Sequence, residues 1–314
     1  MKLFDTLVKP IALYGCEVWG AFGHKSNILD NIFNNLLLKD KSSYEQLHLK
    51  SCKHILGISK RASNLGSRSE LGRYPLMFNI LLSICKYRMR LECSDHNDLL
   101  FHGLKSQQKL YLNSYRTLTY NKFTDKLFIE SVGKIPTPLS KTDDIKSEIN
   151  KSITPIKNKI TNIYQKLFFD ILSGLQTETS TKLTIFSNIK RNYKYEPYLD
   201  VPPNNRYITK FRLSDHNLPI ERGRYHRPKI PRNERLCSLC NNEIGDEIHA
   251  LLQCKNLENE NIRTKFIKQI TFISSQFGAL SDDSKLEYIL NSTDPLLTPI
   301  IGKWINNITL LYNK

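Results

Sequence analysis

Cys237-Ser238-Leu239-Cys240, followed by His249 and Cys254, gives the spacing C-x2-C-x8-H-x4-C, and no other feature of the sequence restricts the fold as tightly. Two cysteines separated by two residues hold one ion from a single tight turn, and a histidine–cysteine pair from the next segment completes a tetrahedron. Four soft or borderline ligands without a spare carboxylate predict a closed, structural site for one zinc ion. The Asn241-Asn242 and Gly245-Asp246 pairs predict turns, and Asp246 is placed to cap a short helix carrying His249. His249 and Cys254 are five residues apart, about 140° around a straight helix at 3.6 residues per turn. The helix is therefore expected to end or distort before Cys254, with Leu251 and Leu252 facing a small core. The remaining cysteines, Cys16, Cys52, Cys85 and Cys93, sit among apolar neighbours and read as buried thiols.

Elsewhere the apolar residues follow a helical period. Met77, Ile80, Ile84, Tyr87 and Leu91 form one stripe, opened by Pro75, and place Lys86 and Arg90 together on the polar face. Ile145, Ile149 and Ile153 form a second stripe, and Ile156, Ile160, Ile163 and Leu167 a third. Thr154-Pro155 between them reads as an N-cap and first-turn pair, so two helices are expected, the second closed by Gly174. Further helices are expected over 2–14, 44–56, 97–112, 205–212, 259–276 and 299–311. Strand signals are sparse. Proline-rich punctuation falls at Pro136 to Pro138, Pro197 to Pro203 and Pro219 to Pro231.

The expected fold class is mainly α, with a small irregular CCHC zinc module. The segments are 1–95, a helical connector over 96–203, the basic zinc module over 204–265, and a C-terminal helical segment over 266–314. No apolar run approaches the length of about 18 residues that a membrane span needs, and the first residues do not follow the signal-peptide pattern. A nuclear or cytoplasmic location is expected.

The chain carries 46 basic and 30 acidic residues, a balance of +16. Coding bias explains part of it, since 31 lysines and 27 asparagines accompany the excess. The distribution is less easily explained that way. His48 to Arg90 carries nine basic residues and one acid, and Arg206 to Arg235 nine basic residues and three acids, so these stretches hold 14 of the 16 net charges. Seven of the 15 arginines lie in the second stretch. A polyanionic partner accounts for that clustering, because guanidinium forks suit phosphate. Lys60, Arg61, Arg68 and Arg73, in a polar Gly/Ser-rich turn region, are candidate phosphate contacts, as are Lys86 and Arg90. In the second stretch the candidates are Arg206, Lys210, Arg212, Arg222, Arg224, Arg227 and Lys229, interleaved with aromatics. Tyr207, Tyr225 or His226 is placed to stack on unpaired bases, while Phe211 is expected in the core.

Hydrolytic or transfer chemistry has little support. Histidines 24, 48, 54, 96, 102 and 216 have no nucleophile in motif context. No phosphate-cradling GxxxxGK[ST] and no GxSxG occurs. The acidic pairs Asp143-Asp144 and Asp282-Asp283 read as helix N-terminal or loop acids.

Leu3-Phe4-Asp5-Thr6-Leu7-Val8-Lys9-Pro10-Ile11-Ala12-Leu13-Tyr14-Gly15-Cys16-Glu17-Val18-Trp19-Gly20 resembles the segment just after the palm in reverse transcriptases of non-LTR (LINE-type) retrotransposons. His48-Leu49-Lys50 to Cys52-Lys53, Ile55 to Lys60 and Glu70 to Leu76 continue the resemblance through the thumb, and the C-x2-C-H-C module is similar to those proteins' C-terminal zinc-binding segment. It covers residues 1 to about 95 and about 205 to 265. The resemblance implies a thumb and C-terminal region that grip element RNA or an RNA–DNA duplex without chemistry of their own. The palm's aromatic-x-Asp-Asp hairpin has no counterpart here and is expected upstream of Met1; phosphoryl transfer needs the two metal ions such carboxylates hold. Two alternatives stand beside this one: a stand-alone zinc-containing RNA- or DNA-binding protein, and a structural zinc module for protein contacts.

Overall fold

The structure is a computed structural model and describes residues 1–21, 32–94, 98–113, 119–134, 145–174 and 183–313. His24, His96, Asp143-Asp144 and Pro136 to Pro138 lie outside the described residues. The chain is mainly helical, and among the described residues extended pairing is limited to two isolated bridges, Leu71 with Tyr195 and Leu236 with Ile244. No described helix is long and apolar enough to cross a membrane.

The main helices, in chain order, are α1 (Ser43–Leu56), α2 (Asn64–Glu70), α3 (Leu76–Glu92), α4 (Leu99–Asn113), α5 (Tyr120–Val132), α6 (Ile145–Gly174), α7 (Asn205–Arg212), α8 (Pro219–Tyr225), α9 (Leu257–Ile273), α10 (Asp282–Asn291) and α11 (Leu297–Leu311). Two compact units form: one from Met1–His48 with Tyr74–Ile171, the other from Leu49–Arg73 with Leu172–Lys314. Residues 49–73, read from sequence as part of an N-terminal segment, thus belong with the cysteine–histidine cluster.

In the first unit, α3 is buried around most of its circumference, from Met77, Ile80 and Ile84 to Leu81, Cys85 and Met89. A helix apolar on several sides sits in the middle of its neighbours, and α3 packs on a short helix at Cys16–Trp19, on α4 and on α5. Lys86 and Arg90 project from its exposed side. Arg88, by contrast, is buried and paired with Glu92 at 2.6 Å. The helix expected over residues 2–14 forms over 2–12, but it is widened at one turn rather than regular. Pro10 has no amide to donate; the chain makes a π-turn at Phe4–Val8 and continues as α-helix over Lys9–Ala12.

The expected pair of helices around Pro155 is one helix, α6, with Pro155 inside it. Ile149, Ile153, Ile156, Ile160, Tyr164, Phe168 and Leu172 make a single buried stripe. Continuing that stripe outweighs the lost amide, and the Thr154 hydroxyl turns back to the Asn150 carbonyl at 3.0 Å.

The second unit has its own core, where Trp304 of α11 stacks on Phe266 of α9 at 3.8 Å and α7 packs along α11. Gly302 permits that approach, because a side chain there would collide with the Asn204 backbone. A buried polar network crosses this core. Arg212 Nε donates to Glu70 at 2.9 Å, Nη1 donates to the Leu290 carbonyl at 2.8 Å, and Tyr198 donates to the other Glu70 oxygen at 2.9 Å. Lys190 joins it through Glu196 at 2.5 Å and the Ser69 carbonyl at 2.9 Å. This corrects two sequence expectations. Arg212 and Arg68 are fully buried and cannot reach a phosphate; Arg68 lies in α2, a helix capped by Ser63 where a turn region was expected. Cys93 is only partly buried, unlike Cys16, Cys52 and Cys85.

Candidate metal centre and basic groove

The ligand atoms of Cys237, Cys240, His249 and Cys254 all lie within 4.8 Å of one another. A tetrahedron with metal–sulfur bonds of about 2.3 Å and a metal–nitrogen bond of about 2.0 Å sets sulfurs about 3.8 Å apart and sulfur from nitrogen about 3.5 Å. Cys237 and Cys254 sulfurs are 3.8 Å apart, and Cys240 sulfur is 3.4 Å from His249 Nε2. The four residues are close enough to hold a metal ion, and the set is compatible with zinc.

Local structure explains the convergence. A narrow hairpin delivers the first pair: Cys237 N donates to the Glu243 carbonyl at 2.7 Å, Gly245 N to the Arg235 carbonyl at 2.9 Å, and Asn241 turns the corner at φ 53°. Gly245 is required there, since a Cβ would lie 2.9 Å from the Cys237 Cα. The second pair comes from a distorted helix, as the spacing predicts. Asp246 caps it by accepting from His249 N at 3.0 Å, and His249–Gln253 form a π-turn in which Cys254 N donates to the His249 carbonyl at 2.8 Å. The five-residue turn brings both ligands to one side. Buried Asn259 takes up the Ala250 carbonyl at 2.9 Å, and Leu251 is in the core with Leu252 packed against it.

Three groups around the ligands have no sequence signature. Glu243 accepts from His249 Nδ1 at 2.8 Å. A carboxylate on Nδ1 fixes the proton there and leaves the Nε2 lone pair for a metal. An acid does therefore stand beside the site, but on the far nitrogen and outside the tetrahedron. Tyr312, buried and far along the chain, contacts Cys237 sulfur at 3.2 Å; burial and the adjacent thiol push its phenol up. Arg263 Nη1 donates to the Cys254 carbonyl at 2.8 Å. Burial opposes ionisation of Cys240, but the amides of Asn242 and Glu243 outweigh it and bring the thiol down to about 7. Burial, with the neighbouring Cys237, pushes Cys254 up to about 11. A divalent cation reverses that preference by binding the thiolate directly.

Within the same unit as the cluster lies a groove of about 790 Å³ lined by Arg61, Lys210, Arg222, Tyr207, Tyr225 and His226 together with residues near the end of α11. It joins cations from both basic stretches. Asp215 anchors the first stretch by accepting from Ser59 N at 2.7 Å and from the Ser59 hydroxyl. Arg61 lies 5.2 Å over the Tyr225 ring, a cation–π distance. Of the other candidates, Lys60, Arg206, Arg227 and Lys229 are exposed, Arg73 is half-buried, and Arg224 is turned onto Glu221 at 2.7 Å. Phe211 is core, as expected. His216 also lines the groove; it is buried with Nε2 3.0 Å from Glu247. No family model matches the chain, and no curated protein and no solved structure matches it either.

Proposed function

We propose that this chain is a nucleic-acid-binding protein without catalysis of its own, whose C-terminal unit is held by one structural zinc ion, and that it derives from the thumb and C-terminal region of a non-LTR retrotransposon reverse transcriptase. The observation that carries the binding function is the groove, where Arg61, Lys210 and Arg222 come from segments about 150 residues apart in sequence and meet two tyrosines. Cations that neutralise phosphates beside aromatics that stack bases are the two components of sequence-tolerant strand binding. The zinc reading rests on tetrahedral spacing, three sulfurs and an oriented imidazole, with all four positions supplied by the chain. The derivation from a retroelement rests on the resemblance over residues 1 to about 95 and about 205 to 265.

Salt dependence tests the binding function. With about five phosphates contacted on a single strand, log affinity falls against log salt with a slope near −3.5. Replacing Lys210 and Arg222 by glutamine should flatten that slope by about 1.4 while zinc content is retained. Affinity independent of salt, or unchanged in the variant, leaves a structural zinc module for protein contacts as the better reading.

A further inference from the structure

The groove in the unit that holds the cluster is lined by more than basic side chains. Its cations Arg61, Lys210 and Arg222 stand against two carboxylates, of which Glu221 is ion-paired with Arg224 and Asp215 accepts from Ser59 while keeping its charge. What it offers a ligand is cationic, aromatic and carboxamide in character. Tyr225 is 47% exposed while carrying Arg61 over its ring. His226 is set by its Nδ1, which donates to the Pro228 carbonyl at 2.9 Å and leaves Nε2 as an acceptor. Asn217 donates to Asn313 at 2.9 Å, which leaves the Asn313 amide nitrogen and the Asn217 amide oxygen to pair with a ligand. Asn306 lines the same wall. In the groove lining, His216 holds a buried Nδ1 that has no hydrogen-bond partner among the described residues.

We infer that this groove seats one unpaired nucleotide of a single strand, with its base against Tyr225 and His226, its edge on the Asn217 and Asn313 carboxamides, and its flanking phosphates on Arg61, Lys210 and Arg222. The inference rests on the nucleic-acid-binding function proposed above and adds strand selectivity and a location. Phosphate contacts alone hold single strands and duplexes alike, because both present a backbone. Aromatic walls inside a concavity reach only a base that has left its stack. The volume lies within the range of about 300–1,000 Å³ usual for a small-ligand pocket, which suits one nucleotide and excludes a helix.

The test uses the full chain purified with zinc, at about 0.15 M salt, titrated by fluorescence anisotropy with labelled RNA and DNA single strands and with the matching blunt duplex. Single strands are expected to bind about tenfold tighter than duplex or better. Tyr225→Leu should weaken single-strand binding about 5- to 150-fold and leave duplex binding unchanged, with His226→Ala acting in the same direction. Zinc content and melting temperature report whether each variant is folded. Equal affinity for single strand and duplex, insensitive to both variants, overturns the strand-selective site while binding itself stands. Displacement of the strand by polyglutamate as readily as by unlabelled strand overturns it in favour of an acidic-peptide site. Absence of binding to every nucleic acid overturns the underlying function as well.

Discussion

His249 stands between two groups that ask different things of it: Glu243 takes the proton on Nδ1, and the sulfur-lined pocket takes the lone pair on Nε2. Removing the orienting charge should loosen the metal without removing a ligand. Glu243→Gln is expected to lower metal affinity about 10- to 100-fold, read by competition with a chelator, with the fold kept when metal is in excess. The ligands were legible because their chemistry and spacing are encoded within 18 consecutive positions. Glu243 was not, since an acid three residues after a cysteine carries no signal of its own. Arginine was the least legible type. Arg212 looks like its neighbours Arg206 and Arg222 in sequence, yet it is buried on Glu70, which lies 142 positions earlier in the chain. A count of basic residues cannot separate an arginine that pairs inside from one that faces a phosphate.

Among elements, α6 shows where local rules lose to packing. Thr154-Pro155 carries the signature of a helix start, but an unbroken apolar stripe on both sides is worth more than the cap. Proline in a helix interior costs about 3 kcal/mol relative to alanine, partly offset by about 0.4–1 kcal/mol through the stiffer unfolded chain. Pro155→Ala is therefore expected to stabilise the first unit by about 2 kcal/mol, measured as a higher urea midpoint with an unchanged slope. The opposite result would mean that the proline's local bend is needed for packing. The π-turn at His249–Gln253 was foreseeable as a distortion, because two ligands five apart cannot share a face of a regular helix. Its kind was not, because the choice between ending and widening depends on Asn259, which accommodates the Ala250 carbonyl. Helix α3 was legible from its period; α2 and α8, at seven residues each, are too short to show one, and α5 was missed although Tyr120, Phe123, Leu127 and Phe128 follow a helical spacing.

At the scale of the molecule, two units with separate cores imply separate responses to metal. Chelation should lower the stability of the unit containing the CCHC cluster by about 3 kcal/mol or more, as expected when the metal is present at over about 100 times its dissociation constant. Hydrogen exchange gives the readout: amides of α9 and α11 lose protection while those of α3 and α5 keep theirs. Protection lost equally in all four would show that the units unfold as one. The sequence pointed to a helical chain with a metal module, but it could not show that residues 49–73 pack with that module, since the network that binds them is assembled from Glu70, Lys190, Glu196 and Arg212 across distant positions. The bond from Tyr312 to Cys237 is equally long-range and has a redox consequence. A thiolate that holds a metal has no proton, so with metal bound the phenol must donate and would withdraw electron density from the Cys237 sulfur, and susceptibility to oxidants follows thiolate character and exposure. Tyr312→Phe should therefore release metal faster under dilute peroxide than the parent chain, which makes the end of α11 the guard of the cluster against oxidation.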